Sequence, residues 1–318
     1  MMQQETEGES NRLRVVLLLV LSVPMVSSAS ILIRITNPVL SPPLVTVFWR
    51  TLYGATVMAG IGFARGDHTS YRSRQLKRTW GWLVLIGIVL SLHFSTWFTS
   101  LFMTTVAASV VLVNTSPILT AILSTVVLGE ALRRRSWAGV LAAVSGAVFL
   151  AWTDLETVGA GALTGDLLAL LSALFLAIYF IGGRRYAVGL PITVYTSIIY
   201  LVAAATTLSF CLALGLNVLV FDPREVAIYL ALAIFPTALG HSVNNYLLTL
   251  VPAYVVSSAV LGEPLGATLL ALVFLGEMPT VLTLVGFAVI LIGIALVLAD
   301  IASRERSSEL SLDDSDRS

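Results

Sequence analysis

Two stretches decide how this chain folds: Pro117 to Glu130, PILTAILSTVVLGE, and Pro264 to Glu277, PLGATLLALVFLGE. Each opens on proline, runs through apolar residues and closes on Leu-Gly-Glu. The agreement continues past the motif, since Pro117, Leu128, Gly129, Glu130, Gly139 and Gly146 reappear as Pro264, Leu275, Gly276, Glu277, Gly286 and Gly293, each 147 positions later. One offset held over six positions reads as an internal duplication. Both stretches are too long and too apolar for a water-facing surface, so the medium around them is the next question.

Composition answers it. The chain is 57% hydrophobic and 11% charged, with a mean hydropathy of +0.94, against roughly 25% charged residues in a soluble domain. Long apolar runs recur at nearly even spacing, near Leu13 to Ile35, Leu44 to Ala64, Trp80 to Met103, Val106 to Leu128 and Trp137 to Trp152, then Leu167 to Gly183, Val194 to Leu214, Val226 to Leu248, Ala253 to Leu275 and Val281 to Ala299. About 20 apolar residues cross a bilayer as a helix. Sheet edges cannot be satisfied in hydrocarbon, and barrel strands would alternate apolar with polar residues. The expectation is an all-α membrane protein of ten transmembrane helices. The first run, with Ser27, Ser28, Ala29 and Ser30, resembles a cleaved signal segment, but its spanning length and the helices after it favour a retained helix.

Basic residues set the orientation, because short cytoplasmic loops collect Lys and Arg. Fifteen of the 18 fall on one predicted face: Arg12 and Arg14, Arg65, Arg72, Arg74, Lys77 and Arg78, Arg133 to Arg135, Arg184 and Arg185, and Arg304, Arg306 and Arg317. Both termini are therefore expected in the cytoplasm and the chain in the cell (inner) membrane. Five helices per copy is an odd number, so the second copy enters from the opposite side, giving two inverted five-helix repeats of the kind that builds alternating-access carriers. The reading divides the chain into an N-terminal tail (1–12), a first repeat (13–153), a linker (154–165), a second repeat (166–299) and a polar tail (300–318) with the composition of a disordered segment. Glu130 then faces the cytoplasm and Glu277 the outside.

The proline followed thirteen residues later by Leu-Gly-Glu and a Gly-rich helix, twice over, resembles the EamA-type transporters of the drug/metabolite superfamily. The likeness covers about Leu13 to Ala299. It implies secondary transport of a small organic solute, a central cavity lined by helices 1 to 4 and 6 to 9, and peripheral helices 5 and 10. It fixes no substrate, since members carry amino acids, drugs, sugars or nucleotide-linked compounds.

Polar side chains inside the apolar runs are the candidate site, because a charge at the bilayer centre costs roughly 2.5–3.5 kcal/mol even on the lenient insertion scale. Arg50 lies about six residues inside the second run, roughly 9 Å deep at 1.5 Å per residue. It reads either as a clamp for a carboxylate or phosphate or as half of a helix-joining ion pair. Glu263 is the acidic residue nearest mid-membrane. It can hold a cationic group or take up a proton when its surroundings become dry. Together the two suit a zwitterion, or they simply neutralise each other. His93 and His241 differ by 148 positions, as do Trp97 and Asn245, so each copy carries a His and a second recognition group four residues apart on one helix face. Either His can relay protons or make an interhelical hydrogen bond. Tyr53, Trp97 and Tyr179 are pocket-lining candidates, Asn114 and Pro117 soften helix 4 as Pro264 does helix 9, and Pro117, Pro264, Glu130 and Glu277 are hinge or gate candidates. Ser258, Gly262 and Gly266 form a small-residue packing stripe.

Several classes of function are disfavoured. The formal net charge is zero, with no basic face for nucleic acid. Cys211 is the single cysteine, so no disulfide and no cysteine metal site arise, and no cofactor is expected. No Gly-rich phosphate loop with Lys, no His-Glu-x-x-His and no Gly-x-Ser-x-Gly is present, which argues against ATP drive and against an integral-membrane enzyme. A non-transporting scaffold remains as an alternative that leaves buried Arg50 and Glu263 without a purpose. The expected partners are a small-molecule substrate, the lipid bilayer and protons; a homodimer is compatible with the sequence.

Overall fold

A computed structural model of the chain describes residues 17–18, 21–128, 134–157, 159–250, 256, 263–293, 295–296 and 299. Helices fill most of this, and no strand occurs among the described residues. In chain order they are α1 (Leu21–Arg34), α2 (Pro43–Ala64), α3 (Arg74–Ser100), α4 (Val106–Val113), α5 (Ser116–Leu128), α6 (Arg134–Thr157), α7 (Ala160–Tyr186), α8 (Ile192–Ala213), α9 (Pro223–Leu232), α10 (Ser242–Leu250), α11 (Glu263–Leu275) and α12 (Val281–Gly293).

Local chemistry explains several of the boundaries. Pro43 and Pro223 sit in the first turns of α2 and α9, where a missing N–H costs nothing. Ser73 caps α3 by accepting from Leu76 N at 3.2 Å, Thr105 caps α4 by accepting from Ala108 N at 3.1 Å, and Asp222 caps α9 through Arg224 N at 3.0 Å. Such oxygens satisfy amides that have no partner in the first turn. Helix α6 runs to Thr157 and α7 begins at Ala160, so helix extends into the 154–165 stretch between the repeats.

Among the described residues, five helices are long and apolar enough to cross a membrane: Pro43–Ala64, Arg74–Ser100, Ala160–Tyr186, Ile192–Ala213 and the continuous helical stretch Pro223–Leu250. The other five expected spans correspond to shorter apolar helices, Leu21–Arg34, Val106–Thr120, Trp137–Gly146, Gly266–Leu275 and Val281–Gly293. The molecule is a multi-pass helical membrane protein.

Two of these passages depart from plain α-helix, and proline accounts for both. Between α4 and α5 the chain turns at Asn114–Thr115. Pro117 has no N–H to offer Val113, four residues earlier, and at the turn the Asn114 side chain folds back to donate to Val110 O at 2.9 Å. Between α9 and α10 residues Ala233–His241 form a π-helix around Pro236. Pro236 leaves the Leu232 carbonyl short of its usual donor, and the Thr237 hydroxyl donates to that oxygen at 2.8 Å.

The two halves of the sequence pack through each other. Helix α2 lies along α8, and α3 lies against both α7 and α8. Gly87 makes the α3–α8 approach close enough that an added Cβ would meet Val202 Cβ at 2.6 Å and the Ile199 carbonyl at 2.9 Å. The hydroxyls of Ser91 and Thr207 join across the same seam at 2.7 Å. Gly146, one of the duplicated glycines, brings α6 onto α12, where a Cβ would meet Ile290 Cγ1 at 2.8 Å and the Gly286 carbonyl at 3.1 Å.

Candidate functional site

The deepest charged group is Arg50 in α2, with no exposed surface. Its guanidinium is held on two of its three sides. Nε donates to Thr237 Oγ1 at 2.8 Å, and the flat face lies over the Phe94 ring at 4.1 Å and the Phe98 ring at 5.3 Å. Phe94 and Phe98 stand four apart on α3 and so share one face. A cation over a desolvated ring gains about 2 kcal/mol, which offsets part of the cost of burial. The third side is open: Nη1 and Nη2 are buried and have no hydrogen-bond partner among the described residues.

Glu263, the first described residue of α11, is also buried. Its Oε2 accepts from Asn114 Nδ2 at 3.4 Å, and its carbonyl accepts from the Ser27 hydroxyl of α1 at 3.3 Å. The turn at Asn114 therefore has a use, since it delivers a side-chain amide to the carboxylate. Arg50 and Glu263 lie within electrostatic range of each other with no hydrogen bond between them. Tyr179 and Tyr200 share the field of Arg50.

The two histidines are used differently. His93 Nδ1 meets the Ser172 hydroxyl at 2.8 Å and the Ser172 carbonyl at 3.0 Å, while that hydroxyl lies 3.0 Å from the His93 carbonyl. This ring joins α3 to α7. His241 closes the π-helical segment edge-on to Phe94, ring centres 5.3 Å apart, and its buried Nδ1 has no partner among the described residues. Asn245, one turn on, donates to the Tyr179 hydroxyl at 2.6 Å. Trp97 stacks on His93 at 6.1 Å with its indole nitrogen buried and unpaired.

Of the candidates read from sequence, Arg50, His93, Trp97, Asn114, Tyr179, His241, Asn245 and Glu263 converge in the bundle interior. Tyr53 does not join them; its ring packs on Trp49 at 5.2 Å, facing the α8–α9 connection, where Trp49 Nε1 donates to Val218 O at 2.9 Å. Pro117 and Pro264 are both buried beside the Asn114–Glu263 contact. Of the packing stripe, Gly266 faces Ser27 so closely that a Cβ would meet its hydroxyl at 2.5 Å; Gly262 and Ser258 lie outside the described residues, as does Glu130.

Glu277 lies away from this cluster at one end of the bundle. It pairs with Arg34 at 2.7 Å and accepts from Val106 N at 3.1 Å, while Arg34 also donates to Leu101 O at 2.8 Å. One ion pair thus ties α1, the α3–α4 connection and the α11–α12 connection together. A cavity of about 140 Å³ opens beside it, with Thr105, Thr268 and Thr280 in its wall.

Sequence reasoning missed Thr237, Phe94, Phe98 and the Arg34–Glu277 pair. Pro236 within an apolar run was the available sign of Thr237, and the four-residue spacing of Phe94 and Phe98 that of a shared ring face.

A multi-pass helical bundle with a buried, partly unsatisfied charge cluster is the architecture of a membrane carrier. The sequence pattern of the EamA-like transporter family matches residues 13–152 and again 163–299, and the chain belongs to that family. It is 27% identical over 285 residues to an uncharacterised transporter of Archaeoglobus fulgidus, an alignment covering 89% of this chain and 96% of that protein. It is 23% identical to the uncharacterised transporter YwfM of Bacillus subtilis over 276 residues, 86% of this chain and 89% of that one. A solved crystal structure shares the fold at a TM-score of 0.65 and 22% identity, covering 90% of this chain and 97% of the other. The protein is a membrane transporter.

Proposed function

We propose that this transporter is a secondary-active exporter of a small organic solute, amino-acid-like or drug-like, which it moves by alternating access around the Arg50–Glu263 cluster. The observation that carries this reading is Arg50 itself: fully buried, held at Nε and over its face, with two nitrogens left unpartnered. A charge left partly unsatisfied within an apolar bundle is costly and is explained by a ligand that completes it. Glu263, whose carboxylate accepts from Asn114 at 3.4 Å, supplies the opposite charge for an ammonium group or takes up the coupling proton.

In this reading the chain sits in the cell membrane with both ends in the cytoplasm, as two inverted five-helix repeats. The Arg34–Glu277 pair is the external gate, and Glu130 holds the equivalent position in the first copy. Proton coupling rests on Glu263, assisted by His241, whose Nδ1 is open to a partner; His93 is engaged with Ser172 and serves as a brace.

The test is flux in proteoliposomes against a panel of amino acids, amines and drug-like cations, with and without a pH gradient. The expected result is gradient-driven flux of at least one member. Glu263→Gln should abolish the gradient dependence and weaken binding of a cationic member about ten-fold, the scale of one charge-assisted contact. Gradient-driven transport that survives Glu263→Gln unchanged removes the carboxylate from the mechanism.

A further inference from the structure

Three sides of the Arg50 guanidinium are distinguishable in this structure, and each has a different occupant. The face is covered by Phe94 and Phe98. The Nε corner is taken by Thr237. The Nη1–Nη2 edge is buried and vacant of protein partners among the described residues. A planar guanidinium binds a carboxylate through two parallel N–H···O bonds, either across Nε and one Nη or across the two Nη nitrogens. With Nε engaged, the second mode remains.

We infer that Arg50 is an end-on carboxylate site, binding one carboxylate through Nη1 and Nη2, and that Thr237 is the positioning residue that selects this edge.

The chain of cause begins with Pro236. Lacking an N–H, it leaves the Leu232 carbonyl without its usual donor. The Thr237 hydroxyl donates to that oxygen at 2.8 Å. Its single proton is then committed, so toward Arg50 the hydroxyl oxygen acts as an acceptor, and it receives Nε at 2.8 Å. Gly54, one turn beyond Arg50 on α2, makes room, since a Cβ there would meet Thr237 Cγ2 at 2.8 Å. Proline, threonine and glycine thus act together to fix one rotamer of one arginine.

The same surroundings discriminate among anions. Among the described residues no second Arg and no Lys acts on Arg50, whereas the negative charge of Glu263 does. The negative charge of Glu263 opposes a dianion and tolerates a monocarboxylate, especially one carrying an ammonium group. This specificity deepens the carrier reading above and rests on it only for its place in a transport cycle; anion binding itself is separable.

The experiment uses full-length protein in nanodiscs with 15N-labelled arginine, the Arg50 signals being assigned by their loss in Arg50→Lys. Sodium acetate and inorganic phosphate are titrated into wild type, Thr237→Ser and Thr237→Val. Acetate should move both Nη signals saturably and leave Nε in place in wild type and in Thr237→Ser, with phosphate binding at least about ten-fold more weakly. Thr237→Val should move the Nε signal before any anion is added and weaken acetate about ten-fold, the scale of one hydrogen bond to a charged group. A Thr237→Val titration matching wild type overturns the positioning role. Acetate acting on Nε overturns the end-on mode, and no Arg50 response to acetate overturns the site. Failure of the carrier reading looks different: Nη signals respond to acetate, yet no panel solute crosses the membrane.

Discussion

Helix α3 and the stretch from α9 to α10 occupy corresponding places in the two copies, yet one is unbroken α-helix from Arg74 to Ser100 and the other is π-helical over Ala233–His241. The paired residues have diverged with the backbone. His93 holds Ser172 through Nδ1, with the Trp97 ring stacked upon it, while Nδ1 of His241 has no hydrogen-bond partner among the described residues. Of the two histidines, the first joins helices α3 and α7 and the second packs edge-on against Phe94. The difference traces to Pro236, because the widened turn it imposes is what brings Thr237 to Arg50 and turns His241 onto Phe94.

This contrast can be broken from the α3 side first. Gly87→Ala should have the largest effect, since the new methyl meets a backbone carbonyl at 2.9 Å that cannot swing away. Overpacking of this kind costs about 1–3 kcal/mol, read as an earlier midpoint in denaturant unfolding of the purified protein, and a wild-type midpoint would mean that α3 and α8 separate freely. His93→Ala comes next. It strands the Ser172 hydroxyl and should cost about 1–2 kcal/mol, the range for interhelical hydrogen bonds in membranes, with solute affinity unchanged. If His93→Ala altered affinity without loss of stability, the brace assignment would be wrong. The smallest change in stability belongs to His241→Ala, which loses its packing on Phe94 but no hydrogen bond seen among the described residues; it should cost less than His93→Ala while changing the pH dependence of flux. Equal destabilisation by the two histidine substitutions would erase the distinction between the copies.

Much of this was legible beforehand, and for clear reasons. Apolar runs mark helices because lipid leaves the backbone no other way to satisfy itself, and so α2, α3 and α8 lie within a few residues of where composition puts them, α3 starting early because Ser73 caps it. Arg50 and Glu263 stood out because a charge within such a run has a cost that an exposed one lacks. What could not be read was direction. Nothing in the order of residues says that His93 turns to Ser172, or that Tyr53 packs beside Trp49 and not beside Arg50, since both depend on which helices of different halves become neighbours. The π-helical segment was hidden for a further reason: Pro236 announces a disturbance, but whether the helix kinks, breaks or widens depends on a threonine one residue later finding both a carbonyl and an arginine.

The glycine seam between α6 and α12 fastens the far end of one repeat to the far end of the other. Gly146 rests against the carbonyl of Gly286, and Gly286 stands 147 positions after Gly139, its counterpart in the duplication. A side chain at position 146 would run into the Ile290 backbone nitrogen at 3.0 Å and that carbonyl at 3.1 Å, so even a single methyl there would push the two helices apart.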